Sequence, residues 1–232
     1  QRAREAWLGD FAGCLTAAVR AVRPAASVEH QSSVYLANWR LGVTCDLAAH
    51  SHFLQGDCSG DALQGSSARK LFHNLSPNRP AAFETSVGMD LANYSVLKPE
   101  ALLRAKAAAA LADGCAFVAI DSIDPAGTLN RAVYERMERV TAALRPYQEA
   151  VGEDLPSAEL VQDIGVYLGT EAKVDFADNG RPIDSPAGWS GGSPHLDALV
   201  SVCRAFQQDH VPFGVITRRD LQRLGRHRLV VL

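Results

Sequence analysis

Several short apolar runs in this chain end in carboxylates, which is where acid–base or nucleophilic chemistry would sit. The sharpest is the stretch 80–87, Pro-Ala-Ala-Phe-Glu-Thr-Ser-Val, with Glu84 near its C-terminal end. Packing gives a buried strand no reason to carry a carboxylate there. Asp57 ends a second run and is flanked by Gly56 and Cys58, small neighbours that leave room for a ligand but also suit a turn. Glu29 and His30 end a third, where they would bind sugar hydroxyls, hold an acid in register, or simply fill a polar core. Asp121 and Asp124 end a fourth, yet Pro125 and Gly127 follow, so capping a turn is an equal reading. Two carboxyl groups that face one glycosidic bond can cleave it, one protonating the leaving oxygen and the other attacking carbon or activating water. Glu84 and Asp57 are the candidate catalytic residues; Glu29, His30, Trp39 and Asp121 are candidate substrate contacts. Trp39 would stack on a sugar face, although a lone loop tryptophan more commonly packs.

Other chemistries find less support. His50 and His52 stand two apart, a spacing that puts both rings on one face of a strand and suits a metal. They fall at the start of their strand and no third ligand is apparent, so no metal is expected. No G-x-S-x-G motif supports a serine triad. No G-x-G-x-x-G follows the first strand of the later segment, so no nucleotide or other organic cofactor is expected.

The elements that must position these carboxylates repeat one unit: apolar run, polar tip, amphipathic helix. Residues 4–22 place Trp7, Phe11, Leu15, Ala18 and Val22 on one helical face, and Pro24 ends the helix. Strands are expected at 25–31, 52–58, 80–87 and 115–121. The last, Cys-Ala-Phe-Val-Ala-Ile-Asp, is a continuous apolar run of the kind a parallel sheet covered on both faces carries. Helices follow at 60–75 (weak, with Leu63, Leu71 and Leu75 inward), from Pro99 to Asp113, and from Thr128 to Pro146. That is four βα units with acidic tips. A closed barrel needs eight, and barrels keep their chemistry at the strands' C-terminal ends.

Composition shifts near 152–157. Beyond it, strands at 163–169, 211–217 and 229–232 alternate with helices at 194–208 and 219–224, the start of an open doubly wound sheet. The fold class expected is therefore α/β: residues 1–153 as half a TIM barrel (strands 5–8), and 158–232 as a partial flavodoxin-like domain.

The 232 residues are 47% hydrophobic and 21% charged, with a net charge of -3, which gives no reason to expect nucleic acid or a membrane as partner. No apolar run reaches the roughly 20 residues of a membrane span. Five scattered cysteines without CxxC spacing read as free thiols, favouring a reducing, cytoplasmic setting. The opening Gln1 and the closing apolar strand read as those of a piece of a longer protein.

The runs Ser27-Val-Glu-His-Gln31, Leu54-Gln-Gly-Asp57, Phe83-Glu84 and 119–130 (Ala-Ile-Asp-Ser-Ile-Asp-Pro-Ala-Gly-Thr-Leu-Asn) together resemble the barrel of bacterial α-L-fucosidases of glycoside hydrolase family 151. They are also similar to the "hypothetical glycosyl hydrolase 6" group. The runs 164–168, 174–180 and 211–217, with Asp220-Leu221, resemble the trimerisation-type domain that follows the barrel in those proteins and in family 42 β-galactosidases. The resemblance implies a glycosidase of terminal sugars, most of all α-L-fucosides, with Glu84 on the seventh barrel strand, no cofactor, and a homo-oligomeric parent. The resemblance leaves the roles open: a fourth strand outside this chain would carry either the acid partner of a nucleophilic Glu84, or an Asp nucleophile with Asp57 or Glu84 as acid/base, and either would leave the chain inactive by itself. A β-galactosidase-like hydrolase and a non-catalytic glycan-binding or assembly barrel are the alternatives.

Overall fold

The computed structural model describes residues 1–37, 39–57, 62–91, 93–151, 154–173 and 193–232. Cys58, the first two positions of the expected helix at 60–75, residues 152–153 of the linker, and the 174–180 motif lie outside the described residues.

Two three-stranded parallel sheets organise the chain. The first holds β1 (Gln55–Asp57), β2 (Ala81–Ser86) and β3 (Cys115–Ile120) in that order. Helix α2 (Ala62–Leu75) connects β1 to β2, α3 (Glu100–Ala112) connects β2 to β3, and α4 (Arg131–Val151) follows. The second sheet has the order β5-β4-β6, with β4 (Ile164–Tyr167) central between β5 (Phe213–Ile216) and β6 (Leu229–Val231), and α5 (Pro194–Gln208) leading into β5. This is an α/β fold: a partial barrel wall followed by the opening of a doubly wound sheet. Among the described residues no barrel closes.

The expected strand at 25–31 is not a strand, although its chain runs where a strand would. The His52 N–H donates to the Val28 carbonyl at 2.6 Å, and the Ser32 N–H to the Gln55 carbonyl at 2.9 Å, so the segment lies parallel to β1. Side chains replace the remaining rungs. Ser33 Oγ takes the Asp57 N–H at 2.9 Å, and Ser32 Oγ occupies the His30 carbonyl at 3.1 Å. Short polar side chains that bond nearby backbone offer an alternative to the ladder, and here the alternative wins.

Helix α1 (Arg2–Val22) also differs from expectation, because its apolar stripe faces outward. Trp7, Phe11 and Val22 are 69%, 61% and 77% exposed, whereas Ala12 and Thr16 are buried. The helix docks through its small face. A Cβ on Gly13 would lie 3.1 Å from the His50 ring, and the Thr16 hydroxyl donates to the His50 carbonyl at 2.8 Å. Pro146 does not end α4, which continues to Val151. Pro146 and Ala142 are both exposed, so the carbonyl that the proline leaves unpaired meets water. The expected helix at 219–224 is a 3-10 run, Arg218–Arg226, opened by a capping box between Thr217 and Asp220.

Helix α2 joins the two sheets. Nine of its residues, from Gly65 to Leu75, are buried, so it lacks the polar stripe that marks an amphipathic helix in sequence. The Arg69 guanidinium lies 4.9 Å from the Phe83 ring of β2, and Lys70 Nζ lies 5.2 Å from the Phe213 ring of β5. Asp113, which ends α3, receives Arg69 Nε at 2.7 Å and Lys70 Nζ at 2.5 Å. Asn74 donates to the Val215 carbonyl at 2.9 Å and pairs with Gln162. One apolar core consequently runs from Phe72 and Phe83 through to Phe213 and Val215.

Two outcomes follow. Asp113→Ala leaves Arg69, 5% exposed, buried without its anion, and is expected to cost about 3 kcal/mol. Differential scanning calorimetry should show that as a fall in Tm of roughly 6–12 °C. His73, 1% exposed, is held down to about 4 by burial first and then by the Arg79 cation. Its folded value lies below its unfolded one, so its stabilisation is present above about 6.5 and is lost as pH falls towards 4. Urea midpoints should drop over that window in the wild type and drop less in His73→Gln.

Candidate active site

Alternation along β2 sends neighbouring side chains to opposite faces. Phe83 is fully buried against α2, so Glu84 takes the other face, on which it is 8% exposed. Register carries the same logic across the sheet: Asp57 pairs with Glu84, and Glu84 with Val118. In-register residues of parallel strands point the same way, with backbones about 5 Å apart. Asp57 and Glu84 therefore share one face as neighbours.

Two amides clamp Glu84. Gln55 Nε2 donates to its Oε1 at 2.5 Å and Gln31 Nε2 to its Oε2 at 3.3 Å. Gln31 is held in turn by Ser33, whose Oγ and N–H donate to the Gln31 amide oxygen at 2.8 and 3.2 Å. Neither glutamine stood among the expected site residues. Their signal was present in the spacing: Glu29 and Gln31, like Gln55 and Asp57, stand two apart, the interval that places side chains on one face of an extended chain.

Glu29 joins this cluster. Burial pushes its carboxyl up to about 7, the Glu84 charge adds to the rise, and the Gln55 N–H offsets part of it. One of its oxygens, Oε1, is buried without a hydrogen-bond partner among the described residues, and so is Oδ2 of Asp121, just beyond β3. Asp124 works within its turn: its carbonyl accepts the Gly127 N–H at 2.7 Å and its N–H donates to the Thr128 carbonyl at 2.9 Å.

His30 and Trp39 are placed elsewhere. The His30 ring pairs with Thr16 Oγ1 of α1 at 2.8 Å, and its basicity is lowered by burial and then by His50. Alternation accounts for this, since Glu29 and Gln31 face β2 and the residue between them must turn away. Trp39 lies beneath the Arg4 guanidinium of α1, 5.9 Å from its ring centre. His50 closes a 3-10 turn (Cys45–His50) rather than opening a strand, so the strand-face pairing with His52 does not arise. Among the described residues no group of three or more His, Cys, Asp or Glu is arranged to hold a metal. A cavity of about 1200 Å³ between α1 and the 3-10 turn is lined by Asp10, His50, Glu171 and Arg218 and includes none of Glu29, Asp57 or Glu84.

A further residue, Lys98, shapes the rim. Its ammonium donates to the Ser86 carbonyl at 2.8 Å, to the Met89 carbonyl at 3.1 Å and to the Gly88 carbonyl. Arg136 of α4 donates to the Lys98 carbonyl at 2.9 Å. The loop leaving β2 is thus held two residues beyond Glu84. Only the isolated cation before Pro99 hinted at this in the sequence.

No family model matches the chain, and no curated protein matches it. A solved structure does: α-L-fucosidase isoenzyme 2 from Paenibacillus thiaminolyticus, with a TM-score of 0.67 and 16% identity, over 97% of this chain and 31% of that one. The chain thus spans less than a third of that protein's length. At such identity the likeness concerns fold, which many functions can share. In fold, this chain is similar to part of an α-L-fucosidase.

Proposed function

We propose that this chain carries part of the active site of a glycoside hydrolase that releases terminal sugars, with α-L-fucosides as its substrates. The observation that carries this reading is the face shared by Glu84 and Asp57 at the C-terminal ends of parallel strands. Chemistry in barrels occurs at those ends. The fucosidase-like fold supports the same reading. Glu84 is the carboxylate that meets the anomeric carbon, because two amides fix its orientation. Asp57 is the second carboxyl, on the neighbouring strand and in register with Glu84. Asp121, with its unpaired oxygen, is a contact for a sugar hydroxyl. His30 and Trp39, which face α1, support the wall rather than touch sugar. The second sheet serves as the trimerisation-like assembly unit of a family 151 type enzyme.

The test is hydrolysis of nitrophenyl glycosides by a protein that encloses this chain in a complete barrel. Turnover of the α-L-fucoside is expected, with Glu84→Gln lowering kcat about a thousandfold or more. This chain alone should show no turnover. An enclosing barrel that binds fucose but leaves every glycoside intact would favour a glycan-binding module instead. A galactosidase-only activity would replace the substrate assignment.

A further inference from the structure

We infer that the fold-back after β2, residues 87–98, is the subsite for the group that the hydrolase releases, and that it takes an apolar leaving group. This rests on the hydrolase reading above and adds the part of the substrate that lies beyond the terminal sugar.

The end of β2 shows how the fold-back is built. Alternate residues of the strand turn their backbone groups to opposite neighbours. The Ala82 N–H donates to the Leu54 carbonyl, just before β1, at 2.8 Å, whereas the Val87 N–H donates to the Ile120 carbonyl of β3 at 2.9 Å. Ser86 follows Ala82 in this alternation, so its carbonyl faces the β1 side, and there Lys98 Nζ donates to it at 2.8 Å. The same ammonium holds the carbonyls of Gly88 and Met89. Backbone bonds do the rest: the Lys98 N–H donates to the Val87 carbonyl at 2.9 Å and the Met89 N–H to the Val96 carbonyl at 3.0 Å, around an antiparallel bridge between Gly88 and Leu97. A Cβ on Gly88 would lie 2.5 Å from the Asn93 carbonyl oxygen, so only glycine permits this closure.

The anchoring is polar, yet what it presents is apolar. Met89 and Val96 stand opposite each other across the short ladder, which sets their side chains on one side. Both are more than half exposed, and so is Leu91 beyond them. Strand β3 runs in register with β2 as far as Ser86 and Ile120, so its tip emerges beside the fold-back, and it carries Ile123, 71% exposed. Single exposed apolar residues are ordinary on a surface, but a group of them at the mouth of a site marks a binding surface.

The order of the site decides which part of the substrate meets them. Glu84, its two amides and Asp57 lie on the sheet. A terminal sugar enters first, which puts the glycosidic bond at the carboxylates and turns the leaving group outward, to the loops beyond the strand ends. The fold-back is the loop that leaves the Glu84 strand. An apolar leaving group covers Met89, Leu91 and Val96 and gains in proportion to the area withdrawn from water.

The test compares hexyl and methyl α-L-fucoside as substrates of the enclosing barrel. The two alcohols leave with nearly equal ease, so the ratio of their kcat/KM values reports contact with the leaving group. A hexyl preference of about tenfold or more is expected. It should fall to within about twofold of unity in Met89→Ser/Val96→Ser, whose sites are exposed, and in Lys98→Met, which frees the fold-back. A wild-type ratio near one, as when another part of the barrel covers these side chains, would overturn the subsite and leave the hydrolase reading standing. A hexyl preference untouched by the double substitution would overturn it too. Should the barrel cleave no glycoside, calorimetry with the same two fucosides decides: tighter hexyl binding that the double substitution abolishes would sink the hydrolase reading and keep the apolar subsite, and equal binding would sink both.

Discussion

A single helix buried on nearly all sides holds this molecule together. Helix α2 meets the first sheet through Phe72, Leu71 and the Arg69–Phe83 contact, and the second through Lys70, Asn74 and β5. Such a helix cannot bring two cations inside without an anion, because stripping water from them costs several kcal/mol each. Asp113 supplies that anion. Its position after α3 and before β3 ties the order of the first sheet to the packing of α2.

That constraint reaches the candidate site through β2. With Phe83 committed to α2, the pleat leaves Glu84 no choice but the open face. Gln55 and Gln31 then find it there, and Lys98 and Arg136 hold the loop beyond. None of these polar contacts is long-range in the electrostatic sense. Each is a hydrogen bond whose donors and acceptor the backbone has already aligned, which is how a site stays rigid without extra packing.

The segment before β1 shows how polar side chains can stand in for a ladder. Ser32 and Ser33 occupy two backbone groups that a strand would have paired. Hydrophobic pattern alone reads this stretch as a strand because its path and direction are those of one. Helix α1 misleads in the opposite way: Trp7, Phe11 and Val22 form a clear stripe, but Gly13 and Thr16 allow the closer approach to His50, and closeness decided which face docks.

By itself, the sequence determined the alternation of strands and helices, the parallel class of both sheets, and Glu84 and Asp57 as carboxylates at strand ends. Those follow from local periodicity and from the apolar runs on either side. Tertiary structure decided the rest: that α2 is central, that His30 faces α1, that Gln31 and Gln55 clamp Glu84, and that Glu29 sits beside it. Each of these depends on which groups come within hydrogen-bonding reach across gaps of 14 residues or more, a distance over which no sequence period persists.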